Sequence, residues 1–254
     1  NGSKDENIIF KSNKGFWKGV YVLNSNEKSI IKNSSFLNLT NLSDGLLNLT
    51  SGISFYKSDV ELKNVKFINN ISEDFLNIIQ SNYLLDNVLF ENCFSDAFDS
   101  DFSNGVISNS TFRNISGDGL DFSGSSVILN DSFFYNVKDK SVSVGEESYL
   151  DIKSIFVKNS GVGVAVKDGS IANVQNSTFE KYKLNALMTY SKKSFYSTPK
   201  LNSIDNVFQD INNCCLSQVD SELINNKLYV AQKYFDVDSL YQTQIMKKWT
   251  DLDM

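Results

Sequence analysis

"NYLLDNVLFENC", residues 82–93, alternates apolar and polar side chains, turns at Asn87, places Phe90 three positions later and sets Asn92 two after that. The same frame runs through "DVELKNVKFINN" (59–70), "NGVISNSTFRNI" (104–115), "SSVILNDSFFYN" (125–136), "SYLDIKSIFVKN" (148–159) and "SIANVQNSTFEK" (170–181). The anchors Phe67, Phe90, Phe112, Phe134, Val157 and Phe179 follow one another by 23, 22, 22, 23 and 22 residues. Phe36 precedes the series by 31 and Phe208 follows it by 29, so the ends carry insertions.

A helical repeat of this length would show a period near 3.6. These segments alternate with a period of about 2 and are rich in Val, Ile, Phe and Thr, so they are strands. A repeat of 22–23 residues holds two or three short strands and their turns. Stacked in register, such units give parallel strands about 4.8 Å apart, one coil above the next. The expected fold is all-β, a single-stranded parallel β-helix. The leucine-rich frame of similar period is absent. Asn33, Asn64, Asn87, Asn109 and Asn176 are then ladder residues whose amides satisfy each other at turns, and the Phe anchors stack inside. Several of these asparagines also form N-x-S/T sequons, a by-product of an Asn/Ser-rich repeat.

The organisation expected is a first coil or cap over 1–28, the β-helix over 29–225, and a C-terminal cap over 226–254. In "VDSLYQTQIMKKWTDLDM" (237–254), Leu240, Ile245, Trp249 and Leu252 fall near one helical face behind Asp238 or Ser239 as N-cap. That pattern predicts a short helix closing the last coil. Trp17 is expected to cap or line the first.

Composition narrows the chemistry. The 254 residues carry 24 Lys and Arg against 30 Asp and Glu, a net charge of −6. Nucleic acid and anionic membranes need a basic footprint and are excluded as partners. No run of apolar residues reaches the about 18 that membrane insertion requires. There is no histidine and one arginine, Arg113. A Ser-His-Asp triad, a His-ligated zinc and an imidazole base are therefore excluded, leaving lysine, tyrosine and carboxylates to move protons. Cys93, Cys214 and Cys215 form no disulfide framework. The abrupt opening "NGSKDENIIF" points to a piece of a larger polypeptide; a secreted or cell-surface location is expected.

After each Phe-x-Asn turn comes a further strand. Aligned on Leu76, Phe98, Leu120, Val142, Val164 and Leu187, the next position reads Asn77, Asp99, Asp121, Ser143, Ala165 and Met188. Two positions before the anchor stand Asp74, Asp96, Asp118 and Lys140. Two acidic ladders thus climb one face in steps of about 4.8 Å. At that spacing two unit charges repel by about 1 kcal/mol in water and by several times more when desolvated. The array needs a divalent cation, protonation or the neighbouring Lys140 and Lys167. Carboxylates without thiol or imidazole are hard ligands, so the expected cation is Ca²⁺, held by Asp96, Asp99, Asp118, Asp121 and Asp74. Asp101, Glu146, Asp168 and Lys193 extend the polar face as candidate substrate-binding groups. The small residues just before the anchors, Ala97, Gly119, Ser141 and Gly163, suggest a floor beneath a ligand.

Over about 29–225 the chain resembles the right-handed parallel β-helix of the pectate-lyase-like superfamily. Within that group "SDAFD" (95–99), followed one coil later by "GDGLD" (117–121), resembles the calcium site of family 9 polysaccharide lyases. The resemblance implies Ca²⁺ at Asp96, Asp118 and Asp121 and a lysine base from a later coil. Gly117 stands where that motif has another Asp, and Asp99 is additional. Ser143 and Ala165 occupy the base register, with Lys140 three residues before the former and Lys167 two after the latter. The activity implied is Ca²⁺-assisted β-elimination on an acidic polysaccharide. Lys167 or Lys140 would be the base, and Tyr190 or Lys192 would assist the leaving group. Acid–base hydrolysis by Asp96, Asp118 and Asp121 is a further use of the same carboxylates. The alternative is a non-catalytic glycan-binding or structural β-helix module of a larger surface or secreted protein.

Overall fold

In a computed structural model, which describes residues 1–3, 5–44 and 47–242, the chain winds as a parallel β-solenoid. Each coil contributes strands to three faces. The repeat anchored on Phe112, for example, runs through Asn104–Ser108, Thr111–Ile115 and Leu120–Ser123. These pair in parallel with the corresponding strands of the coils on either side. Strands Ile8–Phe10 and Val20–Leu23 are already paired into the stack, ahead of residue 29.

The repeated residues do what stacking requires of them. Phe10, Phe36, Phe67, Phe90, Phe112 and Phe134 form one continuous pile with ring centroids 4.5–5.5 Å apart. Val157 interrupts it, and Phe179 and Phe208 resume it at 5.6 Å. Outside the core, Asn38, Asn69, Asn92, Asn114, Asn136 and Asn159 form a ladder in which each side-chain amide donates to the one before, at 2.8–3.1 Å. All six lie at φ between 56° and 64°, the left-handed region that asparagine tolerates best after glycine. A second ladder links Asn87, Asn64 and Asn33. There Asn109 departs from the expected chain, since its amide donates to Asp86.

The residues expected to floor a ligand site lie inside instead. Ala97, Gly119, Ser141 and Gly163 are all buried, each just before an inward anchor, so two successive residues are buried there. A Cβ on Gly119 would stand 2.6 Å from the Ser141 carbonyl and 3.0 Å from the Phe134 ring. Small side chains there make room for the aromatic pile.

The C-terminal helix exists, as Val237–Tyr241, but its N-cap is Asp236, whose carboxylate accepts from the Asp238 amide. Its described residues pack across the flank of the solenoid. Val237, with Leu240, Tyr241 and Phe235, covers Val162, Ala165, Met188 and Tyr190, which point outward from the later coils. This explains why the acidic face becomes apolar in those coils. Ile245, Trp249 and Leu252 fall outside the described residues. Trp17 is half-buried against the first coils and donates its indole N–H to the Leu37 carbonyl. No helix among the described residues is long and apolar enough to cross a membrane.

Candidate functional site

The two acidic ladders stand in the expected register. Asp99 pairs across the sheet with Asn77 and Asp121, Asp121 with Ser143, and Asp96 with Asp74. The second ladder is tied by its own carboxylates. Asp96 Oδ1 accepts the Asp118 amide at 2.8 Å, and Asp118 Oδ1 accepts the Lys140 amide at 2.9 Å. Each acid is therefore fixed by the backbone one coil above it. Gly117 is forced by this arrangement, because a Cβ there would come within 2.0 Å of Asp96 Oδ1.

Three of the five expected metal ligands converge. Asp96, Asp118 and Asp121 each offer a carboxylate oxygen, all within 4.8 Å of one another. Oxygens that ligate one Ca²⁺ at about 2.4 Å can stand at most about 4.8 Å apart. The cluster and its all-oxygen donor set fit that ion. Asp74 and Asp99 lie outside the cluster, along a groove of about 380 Å³ that leads to it from the earlier coils. There Asn77 donates to Asp99 and to Asp101, at 2.9 and 3.2 Å.

The acids open into a cavity of about 280 Å³ that four lysines, Lys140, Lys167, Lys192 and Lys193, also line. Lys140 is almost fully buried, with Nζ 3.0 Å from Asp118 Oδ1 and 2.8 Å from Asp139 Oδ2. Burial pulls its pKa down, but Asp118 and Asp139 together hold it well above the ordinary lysine value. Lys167 lies along Gly145, where a Cβ would meet its Cε at 2.8 Å. Its Nζ is 3.9 Å from Asp121 Oδ1, a looser pairing than that of Lys140. Burial lowers its pKa as well, and Asp121 and Tyr241 outweigh that effect. With no cation present, both lysines are ammonium groups that partly neutralise the acids.

The remaining candidates divide. Glu146 and Lys193 face the cavity as an ion pair. Asp168 is buried and accepts the amides of Lys192 and Lys193 at 2.7 Å each, so it shapes the turn that carries them. Lys192 reaches the cavity with Nζ 4.1 Å from the Tyr241 ring centroid. Tyr190 is buried beneath the strap formed by the C-terminal helix and bonds to the Tyr241 hydroxyl at 2.9 Å. Tyr241, not Tyr190, lines the cavity. Sequence reasoning missed Tyr241 and Asp139. Asp139 sits at the register break between Val137 and Lys140 in the pairing of Phe133–Gly145 with Phe156–Lys167, which hides it from a strict 22-residue alignment.

Crowding governs protonation. Burial pushes the Asp99 carboxyl well above its ordinary range, and Asp74, Asp101, Asp121 and Asp96 add to the rise. Asp101 is raised mainly by burial. Asp118 is pushed up to about 7, because burial outweighs the attraction of Lys140. A carboxyl whose pKa is raised on folding stabilises the fold below its unfolded value and loses that contribution as pH rises through the folded one. With metal chelated, the melting temperature should therefore fall as pH rises from about 5 to about 8. Calcium competes with the same protons, so its affinity should increase over that range. A melting temperature that rises with pH in chelator would contradict these assignments.

The family described as right handed beta helix region matches residues 51–206. No curated protein matches the chain. Among solved structures, one of trypsin-treated QnrB1, a plasmid-mediated fluoroquinolone resistance protein, aligns at 15% identity over 83% of this chain and 92% of that one, with a TM-score of 0.33. A second trypsin-treated QnrB1 structure aligns at 14% identity over 82% and 92%, with a TM-score of 0.25. Both superpositions are too loose to carry a functional argument.

Proposed function

The chain belongs to the family of right-handed β-helix regions, and on that premise we propose that its acidic face binds a uronate polysaccharide through a divalent cation and cleaves it by β-elimination. The observation that carries this reading is the convergence of Asp96, Asp118 and Asp121 within 4.8 Å, in a cavity also lined by Lys140, Lys167, Lys192 and Lys193. Calcium is the cation the donor set favours, and it would supply charge neutralisation of the uronate carboxylate and acidify the proton beside it. Lys167 is the group placed to take that proton. It lies beside Asp121 and is held less tightly than Lys140. A bound cation that satisfies Asp121 would weaken the attraction that keeps Lys167 protonated, freeing its amine. The electron pair of the broken C–H bond forms the ring double bond, and the glycosidic oxygen leaves with a proton. Lys192 and Tyr241 stand at the strap side of the cavity to assist that departure. Lys140, clamped by two carboxylates, keeps its proton and balances charge.

The cleft formed by the cavity and its groove runs along the coil axis, where extended sugar residues could lie across successive coils. The protein is proposed to act on acidic polysaccharides outside the cell. The test is incubation with polygalacturonate, alginate and glycosaminoglycan in Ca²⁺ or in chelator, following the ultraviolet absorbance of unsaturated uronate ends. Absorbance growing with one polymer in Ca²⁺ alone supports elimination. Reducing ends without absorbance would point to hydrolysis, and no product from any polymer would remove the catalytic part of the reading.

A further inference from the structure

Cys214 and Cys215 are adjacent in sequence, and nothing in the acidic site uses them. Their Sγ atoms stand 2.7 Å apart. Unbonded sulfurs rest farther apart than this, while a disulfide bond measures about 2.05 Å. The turn sets this approach. A 3₁₀ helix over Ile211–Asn213 ends on Cys214 as its C-cap, with φ −63° and ψ −38°, and the chain enters the strand Cys215–Gln218 directly. The neighbouring coil holds the pair in place, because the Leu187 amide donates to the Cys214 carbonyl at 2.9 Å. Cys215 pairs with Leu187 in register. Cys214 is 8% exposed and Cys215, packed against the end of the core, is half-buried, so Cys215 is the more accessible of the two residues. The third cysteine, Cys93, lies in the hydrophobic core several coils away.

We propose that Cys214 and Cys215 form a vicinal dithiol that small disulfides oxidise to an eight-membered cyclic disulfide. The Cys215 thiolate attacks the small disulfide, forming a mixed disulfide and expelling one thiolate. The Cys214 thiolate then attacks the Cys215 sulfur, closing the ring and expelling the second. The protein loses two electrons and two protons. The small disulfide gains both and leaves as two thiols.

Burial and the neighbouring Cys214 push the Cys215 thiol above its ordinary value. The thiolate fraction is small at neutral pH, so the exchange is slow there and accelerates as pH rises. The strand that begins at Cys215 also holds the strap. Leu216 packs against the cluster beneath Val237, and the Gln218 side chain bonds the Phe235 carbonyl and the Ser191 amide. Ring closure at 214–215 therefore bears on the segment that walls the acidic cavity.

The test exposes the native protein to oxidised glutathione over a pH series, quenches it in acid, unfolds it, alkylates it and determines intact and peptide masses. The expected wild-type product has lost two hydrogens, alkylates only at Cys93, and regains both thiols in dithiothreitol. Cys214→Ser should stop at a glutathione adduct on Cys215, and Cys215→Ser should take up almost none in the native state. A wild-type protein that keeps a stable adduct on Cys215, or that still alkylates at both residues after oxidation at the highest pH, would overturn the proposal. So would oxidation that joins Cys93 to either partner.

Discussion

Lys140→Met is expected to destabilise the cation-free protein by about 3–5 kcal/mol, the usual cost of breaking a buried ion pair from one side. The methionine would fill nearly the same volume, so cavity formation contributes little. What remains is two carboxylates, Asp118 and Asp139, stripped of an ammonium that stood 3.0 and 2.8 Å away. Among the described residues Asp139 Oδ1 has no hydrogen-bond partner, so none of them takes up the loss. Two controls identify the cause. The loss should shrink at acid pH, where the carboxyls take up protons. It should also shrink in Ca²⁺, which the variant should bind more tightly than the wild type because a competing cation is gone. Urea unfolding in chelator and in Ca²⁺, at two pH values, measures all of this. A loss below about 1 kcal/mol, or one independent of pH and Ca²⁺, would mean that Lys140 does not neutralise the acidic ladder.

Lys167→Ala is expected to reduce eliminative cleavage by about 10²–10⁴-fold, the range that removal of a general base produces. Ca²⁺ binding should persist, since the three convergent carboxylates remain. In Ca²⁺, which takes over the neutralisation of Asp121, melting temperature should change little; in chelator it should fall, but by less than for Lys140→Met, because Lys167 is paired more loosely. The informative companion is Lys167→Arg. It keeps the positive charge but cannot give up a proton at working pH. If Lys167 is the base, the arginine variant is as inactive as the alanine variant. Recovery of activity by arginine would assign Lys167 to charge balance and move the base elsewhere.

The fold was readable because the repeat is written in side chains that only stacking explains. Phenylalanine every 22–23 residues and asparagine in the same frame give the coil length, the parallel direction and the register together. The alignment of Phe98, Leu120, Val142, Val164 and Leu187 coincides with the observed pairing at every step. The acidic ladders followed from the same register, and so did the meeting of Asp96, Asp118 and Asp121. Three features escaped. The small residues before the anchors are buried alongside them, which breaks simple alternation, and Gly119 and Gly163 serve the aromatic core. Asp139 stands at a register break. Tyr241 reaches the cavity from a strap beyond the repeat, and no periodicity places such a segment. The apolar outward positions Ala165 and Met188 were the available sign that something covers that face.

The acidic site turns on its cation. Calorimetric titration of the chelator-treated protein with Ca²⁺, beside Asp118→Asn and Asp121→Asn, tests it most directly. The expected result is saturable binding by the wild type with release of protons near neutral pH, weakened roughly tenfold or more in each variant, a loss of about 1.4 kcal/mol or above. Isotherms that coincide for all three proteins would contradict it.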